Sequence, residues 1–388
     1  MSGTSVLISG ASVAGTALAY WLDRHGFDVT VVERAPGLRP GGQAIDVRGP
    51  ALDVADRMGV LEEVRRQSTK MRGMTMVGAD GEELFTTTDF TFSGGEMESP
   101  DVEILRDDLC RLMHDAATDR ITYIFDDSIT AIDDRADRAY VTFENAAPRA
   151  YDIVVGADGL HSNTRRLAFG PEPDYISHLG MYLAVFTVPN FLGLDYWQIF
   201  QAGTDVGGGV LSARDNTEIR AYLGFSTDEP LAYDYRDTDA QRRLLDERTA
   251  SAGWIWPQVK TYMWDAPDFH LDSMSQIHMD SWSRGRVVLI GDAAYSGSPL
   301  SGQGTSMAIV GAYVLAGELA AAGGDHRTAF ARYDDELRDY VTANQALALT
   351  NKAQMDARTA ELTGGEAPDL QGVPDPAEVY NSLKLKDY

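Results

Sequence analysis

The chain has 388 residues, 44% hydrophobic and 24% charged, which is ordinary for a soluble globular protein and long enough for two domains, or one large domain with an insertion. Its formal net charge of -26 argues against nucleic acid and anionic membrane surfaces as partners, since both would repel it. The single cysteine, Cys110, excludes an internal disulfide and fits a reducing cytoplasm, and the scattered histidines have no metal-ligand spacing.

The chain opens on a short apolar run, Val6-Leu7-Ile8, which reads as a buried parallel strand. A turn follows, Gly10-Ala11-Ser12-Val13-Ala14-Gly15, and then Ala14, Ala17, Leu18, Trp21 and Leu22 recur at helical spacing on one apolar face. Gly26 closes that helix, and Val29 to Val32 form a second strand ending in Glu33. A βαβ unit of this kind places a pyrophosphate on a helix N-terminus, with an acid about twenty residues on for a ribose hydroxyl. Ser12 stands at the middle glycine of the dinucleotide fingerprint, where a short side chain still permits a close backbone approach. Ser5 to Leu22 carries no charge, but no positive residue precedes it and turn residues interrupt it, so it reads as neither signal peptide nor membrane span.

A Pro- and Gly-rich loop from Arg34 to Gly42 comes next, then two short helices, Leu52 to Met58 and Val60 to Arg66. The runs MTMV and ELFTTT flank the turn Ala79-Asp80-Gly81-Glu82 and predict a hairpin. Asp101 to Ala117 reads as one amphipathic helix, with Cys110 a small buried hydrophobe beside its apolar face. Strands are expected over Ile121 to Asp134, Ala139 to Glu144 and Ile153 to Gly156, and Leu179 to Phe225 is β-rich throughout. A polar helix (Asp239 to Ser251) and an aromatic core segment (Trp254 to Phe269) precede a strand begun by Asp272 to His278. The buried run Val287 to Ile290 then leads through a glycine-rich loop to a long helix, Thr305 to Ala322, and a second from about Thr328 to Met355. The Pro-, Gly- and Asp-rich tail from Gly364 is expected to lie over the surface or fray.

This order predicts an α/β fold in pieces: a dinucleotide-binding domain from 1–72, 101–177 and 272–325, a β-sheet substrate domain from 73–100 and 178–271, and a C-terminal helix and tail over 326–388. A substrate cleft is expected between the two domains.

Two further motifs carry chemistry. Gly291-Asp292-Ala293-Ala294-Tyr295 places an aspartate just beyond a buried strand, where it can accept hydrogen bonds from a polyol. Pro299-Leu300-Ser301-Gly302-Gln303-Gly304 then opens a helix whose bare N–H groups can face a ring carbonyl or a developing anion. A purely structural reading makes Asp292 a helix cap and the glycines a tight turn. The other motif, Val155 to Arg165, ends a strand in Asp158-Gly159 and equally suits an ordinary turn with Ser162 as cap.

Together the three motifs resemble the single-component FAD-dependent aromatic hydroxylases, the class A flavoprotein monooxygenases of para-hydroxybenzoate hydroxylase type. Within them the chain looks most like the subgroup of tetracycline-inactivating monooxygenases and their actinobacterial relatives, over roughly Ser5 to Ala346. The resemblance implies a Rossmann-like, glutathione-reductase-type FAD-binding domain with non-covalent FAD, and NADPH or NADH as reductant. It implies that O2 adds at flavin C4a and that the resulting hydroperoxide donates one oxygen to an aromatic or polycyclic substrate. Gly10, Ser12, Val13, Ala14 and Gly15 would bind the pyrophosphate, and Glu33, with Arg34 beside it, the adenosine ribose. Gly291 and Asp292 would hold the ribityl-pyrophosphate arm, while Pro299, Gly302, Gln303 and Gly304 lie along the isoalloxazine. Asp46 and Arg106 match FAD-contacting positions, Asp158 serves both FAD and nicotinamide, and Arg39 falls near a nicotinamide-binding arginine. Tyr295 and Ser298 depart from the histidine and proline usual in the subgroup. No side chain is assigned as catalytic, because the flavin carries the oxygen.

For the substrate, period-two alternation puts Tyr182, Ala184 and Phe186 on one strand face and Arg220 with Tyr222 on another, a candidate aromatic wall with one cation. Each aromatic could equally be core, and Arg220 a surface arginine paired with Glu218. Two other functions share the cofactor: a dehydrogenase or reductase without oxygen insertion, and a flavin-retaining metabolite-binding protein.

Overall fold

The strand Ser5–Ser9 is buried along its whole length, as a parallel strand covered on both faces must be. It lies inside a six-stranded sheet in the spatial order Ser283–Arg284, Val287–Leu289, Ile153–Gly156, Ser5–Ser9, Asp28–Glu33, Thr122–Phe125, parallel except for the first strand. The computed structural model describes residues 3–202, 206–363 and 375–388. On one face of this sheet Val6 and Ile8 pack under the helices Val13–Arg24 and Gly304–Ala321. On the other, Leu7, Val32 and Val154 meet Ile129, Val141 and Phe143 of a small three-stranded sheet. The helix Gly304–Ala321 is long and apolar enough to cross a membrane, but 78% of it is buried, against Val13–Arg24 and the helix His326–Thr363.

The second large sheet has seven strands in the order His270–Ile277, Ile176–Pro189, Glu218–Ser226, Val206–Ala213, Gln198–Gln201, Met74–Val77, Glu83–Thr87. Its outer strands include the expected hairpin. The first two run past the domain boundaries expected at 272 and 178. One face carries Ala184, Phe186, Ala221 and Leu223 and packs on Leu245, Trp256 and Val259 of the helices Thr238–Arg248 and Trp256–Met263. The other face is turned toward the first sheet.

Two expectations are corrected. Asp101 to Ala117 is not one helix: Val102–Leu105 is a strand paired antiparallel with Ala44–Val47, and the helix is Arg106–Ala116. Alternation of buried Val102 and Ile104 with half-buried Glu103 suits that strand, and its partner lies far upstream. The tail, of which 364–374 lie outside the described residues, does not lie loose at its end. After the helix Pro376–Tyr380 it returns to the core, where the Tyr388 ring fills the space beside Gly317 and Tyr388 Oη and Lys386 Nζ both reach Glu318 Oε1 at 2.9 Å. The helix before it, His326–Thr363, is also longer than expected.

Candidate active site

A cavity of about 3050 Å³ lies between the two large sheets, several times the roughly 300–1,000 Å³ of an ordinary small-molecule site. At one end stands the glycine turn. Gly10 has φ +104°, and a Cβ there would sit 2.5 Å from the Ala157 carbonyl oxygen; at Gly15 it would sit 1.9 Å from that of Gly10. No other residue fits either place. Val13 and Ala14 begin the helix and line the cavity, as do Gly10, Ala11 and Ser12. The Ser12 hydroxyl turns aside toward Arg106 Nη1 at 3.5 Å and Cys110 Sγ at 3.9 Å, so the replaced glycine leaves the turn intact. Cys110 is buried, as expected.

Glu33 ends the neighbouring strand, and its carboxylate accepts the Ala11 and Ala35 N–H groups, each at 2.8 Å. Arg34 and Arg39 line the same end. Because the preceding segment is a strand, Arg106 is the first residue of its helix, and its guanidinium donates to the carbonyls of Arg39 (3.1 Å) and Gly41 (2.8 Å). It is buried beside the turn, a fixed cation where a pyrophosphate needs one.

Further along, Asp46 pairs with Arg48 at 2.9 Å, and its second oxygen is buried with no hydrogen-bond partner among the described residues. Burial pushes this carboxyl up to about 7 against the pull of Arg48. Asp292 follows Gly291, whose φ of +58° turns the chain so that the carboxylate opens onto the cavity. It is solvent-open toward the cavity yet deep in the molecule, and that depth raises its carboxyl above the usual range. Pro299 begins a short 3-10 turn, Gly302 takes the left-handed conformation (φ +66°), and Gln303 donates to the Gly302 carbonyl at 3.0 Å. Gln303 Oε1 is buried without a partner among the described residues, and Gly304 starts the long helix with its N-terminus at the cavity.

Asp158 is different. Its carboxylate accepts the Thr164 N–H (2.9 Å) and hydroxyl (2.8 Å) and the Ser162 hydroxyl, and also the Ser9 hydroxyl at 3.3 Å, so its oxygens are taken up by its own loop and the neighbouring strand end. The residue two places beyond Gly159, His161, was not singled out from the sequence. Its ring bridges Glu172 at 2.8 Å and Asp272 at 3.0 Å and stacks on Tyr235 at 4.2 Å. Burial would lower it, but hydrogen bonds to Asp272 and Glu172 outweigh burial and push it up to about 9. This imidazolium ties a loop of the six-stranded sheet to the seven-stranded one. No local signal marks it, because Asp272 lies 111 residues away.

The substrate-side expectations need correction. Tyr182 is on the face away from the cavity, stacked on Phe225 and bonded through its hydroxyl to the Leu231 N–H at 2.8 Å. The opposite residues of its strand, Met181, Leu183 and Val185, line the cavity. Arg220 shares a face with Tyr222 but is 2% exposed and spends its donors on the Gly42 carbonyl (2.9 Å), Glu218 (2.8 Å) and the Thr187 hydroxyl. It pairs with Glu218, but inside the protein rather than at its surface. Tyr222 does line the cavity, while its hydroxyl accepts the Ala44 N–H at 2.9 Å.

Residues 3–347 match the family model described as an FAD binding domain. A flavin-dependent monooxygenase from an unknown prokaryotic organism is 41% identical over 89% of this chain and 88% of its own. The chain belongs to the FAD-binding-domain family and is an FAD-dependent monooxygenase. An uncharacterized protein of Mycobacterium tuberculosis is 54% identical over 99% of this monooxygenase and its own full length. The crystal structure of tetracycline destructase Tet(51) superposes with a TM-score of 0.87 at 34% identity, covering all of both chains. The site suits FAD on its own terms. It offers a turn that only glycine can make, a buried guanidinium beside it, a carboxylate opening onto the cavity, and orphaned oxygens on Asp46 and Gln303 ready to accept donors. The readings without oxygen insertion give way to the monooxygenase.

Proposed function

We propose that this monooxygenase is single-component, draws its electrons from NADPH or NADH, and inserts one oxygen atom of O2 into an aromatic or polycyclic, polyketide-like small molecule. The observation that carries this reading is one continuous cavity, running from the glycine turn to the apolar side chains Leu183, Phe200 and Met274 of the seven-stranded sheet.

Gly10, Ser12, Val13, Ala14 and Gly15 would receive the pyrophosphate on backbone N–H groups, with Arg106 supplying charge. Glu33 holds the turn in shape and presents its strand end to the adenosine ribose, with Arg34 adjacent. Asp46 and Asp292 would accept hydrogen bonds from the ribityl arm after Gly291 turns the chain. Pro299, Gly302, Gln303 and Gly304 would border the ring, where the helix N-terminus favours negative charge. Arg39, at the same end as Glu33, and Asp158 would be the residues that meet the nicotinamide cofactor. Bound FAD, held without a covalent link, supplies oxygen activation. The protein positions the substrate and keeps water from the reacting atoms.

Tet(51) is named a tetracycline destructase, so tetracyclines belong among the first compounds tried. The test adds tetracyclines and aromatic polyketides to purified protein and follows NADPH and NADH oxidation together with product mass. Stimulated oxidation with a product heavier by one oxygen atom is expected. Stimulated oxidation with no oxygen gained by any compound would overturn the proposal, and a protein that refuses FAD would end it sooner.

A further inference from the structure

The loop that leads into the helix Gly304–Ala321 carries backbone strain. Ser298 stands at φ +68° and ψ +152°, a region that glycine visits and that a side chain makes costly. Such a conformation persists only where the surroundings over-determine it. Beyond Ser298 the loop holds itself, because the Ser298 carbonyl accepts the Ser301 N–H at 3.0 Å and its hydroxyl at 2.9 Å. The other local bonds of Ser298 are long: its N–H reaches Ser296 Oγ, and its Oγ accepts the Leu300 N–H, both at 3.4 Å.

The remaining hold comes from outside the loop, from three side-chain amides. Gln345 Nε2, on the helix His326–Thr363, donates to the Ser296 carbonyl at 3.1 Å and to that of Ile277 at 2.7 Å. Gln276 Nε2, on the strand His270–Ile277, donates to the Gly297 carbonyl at 3.3 Å and to that of Gln345 at 2.7 Å. Asn351 Nδ2, two turns along the helix from Gln345, donates to the Leu300 carbonyl at 2.8 Å and lies 3.5 Å from that of Ser301. Both glutamines are buried, where an amide is tolerated when it is bonded. Carbonyls on both sides of Ser298 are thus each spent on an amide donor.

We infer that Asn351, with Gln345 and Gln276 behind it, is a positioning residue for the flavin: it clamps the strained loop, and through the loop it sets the potential of the ring. The inference rests on the reading above that Pro299 to Gly304 border the ring. Reduction brings negative charge to the ring, and a helix N-terminus favours that charge. The favour falls off within the first turn, so a small relaxation of the loop ahead of Gly304 registers in the potential. Strain at Ser298 supplies the drive to relax, and the amides oppose it. Asn351 needs no contact with the reacting atoms for this role.

The test is the two-electron reduction potential of the FAD-loaded enzyme, titrated with dithionite beside a reference dye. Asn351→Leu keeps a side chain of similar size and removes the donor. It should disfavour reduction about tenfold, a potential about 30 mV more negative, with FAD content kept. Ser298→Gly removes the strain, so in that background Asn351→Leu should cost less than about threefold. Gly302→Val disturbs the loop directly and shows whether the flavin senses it. A potential moved by Gly302→Val but not by Asn351→Leu would overturn the inference and leave the proposed function standing. An equal shift from Asn351→Leu in both backgrounds would overturn it too, because the amide would then not be opposing strain. If neither variant moves the potential, the loop does not border the ring, and the earlier reading of Pro299 to Gly304 fails together with the inference. Should Asn351→Leu not load FAD, Asn351→Ala is measured in its place.

Discussion

The glycine turn and the seven-stranded sheet face the same cavity, yet they are made by opposite means. At the turn the shape is backbone: Gly10 and Gly15 are locked against Ala157 and against each other, and Gly291 needs positive φ. At the sheet the shape is side chains, Phe200, Tyr222 and Leu183. A backbone cradle cannot yield to an added carbon atom, whereas a wall of side chains can be redrawn by single substitutions. In general such a division lets a cofactor cradle stay fixed while specificity is redrawn in a separate part of a molecule.

Gly15→Ala attacks the rigid end. The new Cβ would lie 1.9 Å from a backbone oxygen, so a loss of FAD and destabilisation of about 4 kcal/mol or more are expected. FAD content per chain and thermal unfolding measure both, and a yellow, normally stable variant would break the contrast. Arg220→Met attacks the sheet where it grips the cofactor side. It strips the donor from the Gly42 carbonyl and Thr187 and leaves Glu218 without its buried partner, for a cost of about 3 kcal/mol. Denaturant unfolding should show the loss, with KM for an accepted substrate little changed. Unchanged stability with a raised KM would return Arg220 to the substrate.

The smallest effect concerns the join between the two regions. His161 titrates near 9 in the folded protein rather than 6.5, because its hydrogen bonds to Asp272 and Glu172 outweigh the lowering by burial. A raised histidine contributes stability that is fully present below pH 6.5 and is lost as pH rises through about 9. The native melting temperature should therefore fall more steeply between pH 6.5 and 9.5 than that of His161→Gln. Parallel curves would show that the bridge contributes nothing to the join.

Much of the cofactor end was legible because its constraints are local. Gly10, Gly15, Glu33, Gly291 and Asp292 sit where a strand, a turn and a helix start follow one another within a few residues, and the chain order of those elements is enough to place them. The sheet end was half legible. Period two correctly put Arg220 with Tyr222 and Tyr182 with Phe186, but not which face would be covered. That was decided by Thr238–Arg248 and Trp256–Met263, which pack under Tyr182 and leave Met181, Leu183 and Val185 to the cavity.

Pairing at a distance decided the rest. Val102–Leu105 could continue its helix by composition, and becomes a strand because Ala44–Val47 offers it hydrogen bonds. The last residues of the tail have few apolar neighbours in sequence, and are held by Gly317, Tyr313 and Glu318 of a helix formed some seventy residues earlier. By itself the sequence determined the βαβ cradle, the identity of its glycines and the class of cofactor, because short-range sterics and backbone hydrogen bonding leave few alternatives there. Only the tertiary structure decided which side of the seven-stranded sheet faces the cavity, what Arg220 and His161 bind, and where the tail docks, because burial and long-range ion pairs depend on partners that no local pattern names.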